Sequence, residues 1–177
     1  MYENTLKVFG ALIMGYAQAC LNLNIIAGKK VTNFLSEIKP TEWYPLERWS
    51  ELEKIVLQSY TNADAIMERV GIEMMLAWYN FGPGKDIINN GIDFLHFQTS
   101  SEGYASVVNG PAGEVGLFEL KAVEPDEGKA VVQSTTPFNK KMECGVLIGG
   151  MKAPGDLDYI DAVNDNDNPY IIEIEFH

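Results

Sequence analysis

The hydrophobic period of this chain changes near residue 100, and that change constrains the fold more than any motif does. Upstream, apolar residues recur every three or four positions, the spacing of helices with one buried face. Downstream they fall into short β-rich runs separated by turns. A first helix is predicted over residues 5–23 and a second from Lys29, with Val31, Phe34, Leu35 and Ile38 on one face and Pro40 ending it. Pro45 opens a third, PLERWSELEKIVLQSY, with Leu46, Trp49, Leu52, Val56 and Tyr60 inward. A fourth follows Thr61 or Asn62 as cap, carrying Ile66, Val70, Met74, Ala77, Trp78 and Phe81 on one side until GPG at 82–84 stops it. DIINNGIDFLHF is a shorter amphipathic piece.

In the second half GYASVV, VGLFELKAV and KAVVQST are expected strands, the last two joined through EPDEG. TTPFNKKMECGVLIGGM breaks the pattern as a helix, with Thr136 as cap and Pro137 in its first position. Phe138, Met142 and Val146 stack on it, and Gly145 and Gly149 leave a smooth strip for close packing. Residues 157–163 and 170–176 are expected strands, the second with Tyr170, Ile172, Ile174 and Phe176 on one face and Glu173, Glu175 and His177 on the other. The NDNDNP between them is turn chemistry. As a calcium loop it fails, because Pro169 falls on a ligand position and Tyr170 where the sharp turn needs glycine. The expected architecture is one α+β domain over 1–177. Residues 1–99 would be mainly helical and 100–177 mainly β, with the helix near 137–151. The helices pack on one face of an antiparallel sheet.

A net charge of −12 argues against a nucleic-acid surface and gives no polybasic signal for anionic lipid. Residues 8–28 carry no charge, but Glu3 is wrong for a secretory leader, and Gln18, Asn22 and Asn24 are too polar for a spanning helix. The expectation is a cytoplasmic protein with no membrane span. Two distant cysteines, Cys20 and Cys144, are expected as free buried thiols. With only His96 and His177 as histidines, no zinc set forms. No metal site, cofactor fingerprint or catalytic motif is present. Glu73 interrupts the apolar run IEMMLAWY and either lines a cavity or pairs with Arg69. His96, in FLHF, either ends its helix or offers an axial ligand to haem.

The order of parts is itself a signature. A helix set with WYPL at 43–46 precedes the EGY–SVV segment and a hairpin. The CGVLIGGM helix and its closing strand follow at 144–176. This resembles the bacterial sensor-type domains that share the ligand-binding fold of haem–nitric-oxide-binding proteins, 4-vinyl-reductase-type hydrocarbon-binding domains and TRAPP tethering subunits. The haem-binding branch carries a helix histidine, a role His96 would take, and a Tyr-x-Ser-x-Arg element for the propionates. Here Tyr104 and Ser106 are followed by Val108 in the arginine position. The cysteines frequent in the vinyl-reductase branch reduce to Cys144 alone.

Aromatic and methionine side chains concentrate in the third and fourth helices, where they can wall an apolar pocket as well as fill a core. Trp49, Met74, Trp78 and Tyr79 are the candidate pocket residues. The expected role is non-enzymatic: a sensor or binding module for a small apolar molecule, homodimeric, signalling to a separate partner protein. The alternatives are a ligand-free interaction subunit and a haem-based gas sensor acting through His96.

Overall fold

The computed structural model describes residues 5–25 and 29–177. Its first element departs from the sequence expectation. Lys7–Phe9 (β1) is a strand, and the helix begins only at Gly10–Asn22 (α1). Lys29–Glu37 (α2) follows, then Trp43–Pro45 (β2) and Leu46–Ser59 (α3). Val8 of β1 lies opposite Tyr44 of β2, and Phe9 opposite Trp43, their rings 5.2 Å apart. Gly10 makes this junction possible. Its amide donates to the Glu42 carbonyl at 2.8 Å, and a Cβ there would collide with the Lys39 carbonyl oxygen. The approach of the 39–42 backbone therefore sets where strand gives way to helix.

Ala63–Phe81 (α4) is the longest helix among the described residues. Met67, Val70 and Met74 are buried on it, but Phe81 is 91% exposed, not turned inward as the spacing suggests. Tyr60 is likewise exposed, just past the end of α3, where its hydroxyl donates to the Ile25 carbonyl. Gly84–Ile87 (α5) and Gly91–Gln98 (α6) divide the next amphipathic stretch. GYASVV is not a strand: Tyr104–Val107 (α7) is one helical turn, leaving only Val108–Asn109 (β3) to pair with β1. Ser106 explains the turn, because its hydroxyl reaches back to the Gly103 and Glu102 carbonyls at 2.7 and 2.8 Å. Ala112–Val115 (α8) is another single turn.

The β half then follows its sequence pattern closely. Phe118–Glu124 (β4) and Lys129–Ser134 (β5) form a hairpin, closed by Gly128 in the left-handed region at φ 65°. Lys140–Lys152 (α9) crosses before Ile160–Asn164 (β6) and Ile171–Phe176 (β7). The sheet order is β4-β5-β7-β6, all antiparallel, beside a smaller sheet β2-β1-β3 that the sequence pattern does not announce. Register places Leu120, Val132 and Ile172 in one row, with Ala130, Ile174 and Ala162 in the next. Tyr170 falls outside the strand and is half exposed, while Glu173 and Glu175 point to solvent. In the connecting turn Asp165 Oδ1 accepts from the Asp167 and Asn168 amides, the Asx geometry expected of NDNDNP.

The C-terminal helix starts later than its sequence suggests. Asn139, not Thr136, caps it, accepting from the Lys141 and Met142 amides at 2.9 and 3.1 Å. From Met142 to Met151 every residue except Ile148 is buried. One flank meets β6 of the sheet, and another meets α4 at backbone contact. A Cβ on Gly145 would run into the Glu68 carbonyl oxygen, one on Gly71 into that of Met142, and one on Gly149 into that of Ile72. The smooth strip read from the sequence is the α4–α9 interface. Gly145→Ala is expected to lower stability by about 1–3 kcal/mol through overpacking. A urea midpoint equal to that of the wild type would mean these helices do not touch so closely.

Candidate functional site

A cavity of about 470 Å³ opens between α1, the C-terminal half of α4, residues 97–107 and α9. That volume lies within the range of small-molecule sites. Its depth is walled by Met74 of α4, Phe118 of β4, Phe138, and Met142 and Val146 of α9. Its mouth is formed by the exposed residues Ala11, Pro83, Ile87, Glu102 and Ser106. Between them stand Leu12 and Gly15 of α1, Met75, Trp78 and Phe97. Trp78 is held by stacking on Phe97, ring centroids 5.2 Å apart, and by its edge toward Phe94. Gly15 contributes an absence. A Cβ built there has nothing among the described residues within 4 Å, so among them the helix presents bare backbone to open space.

The structure separates the residues singled out from the sequence. Met74 and Trp78 are in the cavity wall. Trp49 is wholly buried one layer behind, its ring 5.0 Å from Phe138 and 4.5 Å from Tyr16. Tyr79 lies outside the wall, with the Lys85 amine 5.7 Å from its ring centroid. His96 is exposed and is not part of the wall either. The local reason is the setting of α6. Asn90 caps it by accepting from the Asp93 amide, and Phe94 and Leu95 are buried, with Phe94 filling the space that a Cβ on Gly150 would need. Phe97 and Gln98 then face the cavity and His96 faces away. Glu73 does not line the cavity; it accepts from Asn22 Nδ2 at 3.0 Å, tying α4 to α1.

At the cavity floor lies a polar cluster that sequence reading missed. Glu143 is buried in α9 and lines the cavity. Its Oε2 accepts from Ser134 Oγ at 2.6 Å and pairs with Lys140 Nζ at 3.0 Å, while Oε1 accepts from the Thr136 hydroxyl. Burial pushes the Glu143 carboxyl above its ordinary value, against the pull of the Lys140 charge and the Ser134, Thr136 and Lys140 hydrogen bonds. Burial, and then the charge of Glu143, also hold the Tyr104 phenol well above its usual range, so it stays protonated. That phenol donates to the Val115 carbonyl at 2.5 Å. The one sequence signal for Glu143 was its place in a helix apolar all round, which leaves a carboxylate no solvent face to occupy.

Both cysteines are free and buried. Burial raises each thiol to about 12, so almost no thiolate exists at neutral pH. Neither thiol should react with Ellman's reagent until the protein is unfolded; a fast-reacting thiol in the native protein would contradict this burial. No cluster of three or more histidine, cysteine, aspartate or glutamate side chains with metal-binding geometry occurs among the described residues. No helix among them is long and apolar enough to cross a membrane.

No family model matches the sequence, and no curated protein matches it either. Solved structures do match in shape. A variant of the Tt H-NOX domain aligns with a TM-score of 0.63 at 12% identity, covering 95% of this chain and 94% of that one. An oxygen-binding H-NOX domain related to soluble guanylate cyclases aligns at 0.62 and 12%, covering 94% of each chain. An unliganded Fe(II) H-NOX variant from K. algicida aligns at 0.62 and 8%, covering 96% of each. The chain therefore has the H-NOX fold, the haem–nitric-oxide-binding member of the resemblance drawn from the order of its parts.

That fold raises the question of haem, and the donor set of the cavity does not fit it. Haem iron takes a histidine, a cysteine thiolate or a tyrosine, and methionine only beside a histidine, so Met74, Met75 and Met142 of the wall do not suffice by themselves. Its propionates are anions that need cationic or donor partners. Among the described residues the wall contains no histidine, cysteine, lysine or arginine. Tyr104 is committed to Val115, and the charged groups that do line the cavity, Glu102 and Glu143, are carboxylates.

Proposed function

We propose that this protein is a non-enzymatic sensor or binding module whose cavity takes one small apolar molecule. The observation that carries this reading is the bare stretch of α1 at Gly15, facing an aromatic and methionine wall. Glycine in a helix interior costs about 1 kcal/mol relative to alanine, and here no neighbour among the described residues occupies the space a Cβ would fill. Close packing explains Gly71, Gly145 and Gly149; it does not explain Gly15. Occupancy would bear on α1, α4 and α9 together, because all three contribute to the wall. The bound state then differs from the empty one in how the helices pack, and a separate partner protein reads that difference. A homodimer formed through apolar helix surface belongs to the same proposal.

The fold neighbours favour a second reading, haem-based gas sensing through His96. It requires α6 to turn, because His96 is exposed, and it requires another source of cations for the propionates. Native mass spectrometry and an absorption spectrum of one purified sample separate the two. A non-covalent apolar adduct without a Soret band supports the first reading. A Soret band that disappears in His96→Ala would replace it with the second. Bare protein that also takes up no added apolar probe would leave a ligand-free interaction subunit.

A further inference from the structure

The polar groups around the cavity have directed their protons elsewhere. Tyr104 donates to the Val115 carbonyl at 2.5 Å, and Ser106 to the Gly103 carbonyl at 2.7 Å. Ser134 and Thr136 both donate to Glu143. The Lys140 amine, paired with Glu143, is not in the wall. It has five acceptors within 3.2 Å for its three hydrogens: Ser134 Oγ, the Thr136 carbonyl and hydroxyl, the Phe138 carbonyl and Glu143 Oε2. What remains toward the cavity is acceptor capacity: a carboxylate at the floor, another at the mouth in Glu102, and the lone pairs of Tyr104 and Ser106. Among the described residues of the wall, the side-chain donors not already committed in this way are the neutral Gln98 amide and Trp78 indole. The apolar remainder is rich in ring faces, among them Phe9, Trp78, Phe97, Phe118 and Phe138, surfaces that attract cations.

From this arrangement we infer that the ligand is an apolar molecule with a hydrogen-bond-donating cationic head, a lipophilic ammonium, and that anionic amphiphiles such as fatty acids are excluded. Among the described residues of the wall an anion meets two carboxylates, two neutral donors and no cation, so burial strips its water with little replacement. An ammonium meets acceptors for its hydrogens and rings for its charge. This inference rests on the cavity being a binding site, and its test keeps the two apart.

Octylammonium, octanol and octanoate present one chain with three heads. Their affinities are compared by displacement of N-phenyl-1-naphthylamine fluorescence at pH 7. Octylammonium should bind at least about tenfold more tightly than octanoate, with octanol between them. In the Lys140→Met/Glu143→Gln double variant combined with Glu102→Gln, that ratio should fall to about two- or threefold. If the triple variant does not fold, Glu102→Gln alone, at the exposed mouth, should still narrow the ratio. Equal binding of all three heads would overturn the ammonium assignment and leave the apolar cavity standing. Octanoate binding tightest would overturn it as well. No binding by any of them would remove both readings.

Discussion

Gly15→Phe is expected to abolish ligand binding while leaving the protein folded. Position 15 lies mid-helix in α1 with ordinary helical backbone, and its Cβ vector opens onto the cavity. A phenyl ring there is expected to extend into the cavity that Gly15 lines. Loss of the cavity should weaken binding of a neutral apolar probe by at least about 2 kcal/mol, roughly thirtyfold. Gly15→Ala is the companion variant. It should raise stability by about 1 kcal/mol, the helix-propensity difference, and narrow the cavity only slightly. Fluorescence titration and thermal melts of both variants check this. A Gly15→Phe protein that binds as well as the wild type would place the ligand elsewhere, and destabilisation by Gly15→Ala would mean the space is not open.

Breaking the buried ion pair should cost more than any other single change considered. The Lys140 side chain is 18% exposed and that of Glu143 6%. Lys140→Met therefore leaves a carboxylate at the cavity floor with only the Ser134 and Thr136 hydroxyls. The expected loss is about 3 kcal/mol, the low end for such a pair because the amine keeps some water. Adding Glu143→Gln should recover most of it, since the amide still accepts from Ser134 and carries no charge. The pH dependence follows from the raised carboxyl value of Glu143. Between the ordinary value and the raised one the folded state holds the proton more tightly than the unfolded state. Stability from this group is therefore complete below the ordinary value and lost as pH rises through the folded value. Without Lys140 that value rises further, so Lys140→Met should lose less stability at pH 5 than at pH 8. A deficit that is flat with pH, or a double variant no better than the single, would show that the pair is not buried as described.

The parts of this fold that were legible in the sequence are those whose packing is local. Helices with one wet face, α2 and α3, announce themselves by period, and the β4–β5 hairpin by EPDEG. The strand at 7–9 was not legible, because its partners lie some 35 and 100 residues away and Val8 reads equally well in a helix. GYASVV looked like a strand because its side chains suit one; the hydrogen bonds of Ser106 to its own preceding backbone decided otherwise. Met74 and Trp78, two of the four candidate pocket residues, line the cavity because large apolar side chains on a helix must face something. Gly15 and Glu143 were not found. A glycine in an uncharged helix gives no sign that it borders empty space, and a glutamate three residues after a lysine looks like a surface pair. In α9 no face is left for the surface, which the apolar run around Glu143 only hints at and the helix and sheet on either side decide.

The most direct test of the central claim is an equilibrium titration of the wild-type protein with N-phenyl-1-naphthylamine, a neutral apolar probe, followed through tryptophan and probe fluorescence. A ligand cavity between α1, α4 and α9 gives saturable binding of one probe per chain, with quenching of Trp78 that a Trp78→Phe variant removes. Fluorescence that rises without saturation, or saturation that leaves Trp78 unaffected, would contradict a ligand cavity between α1, α4 and α9.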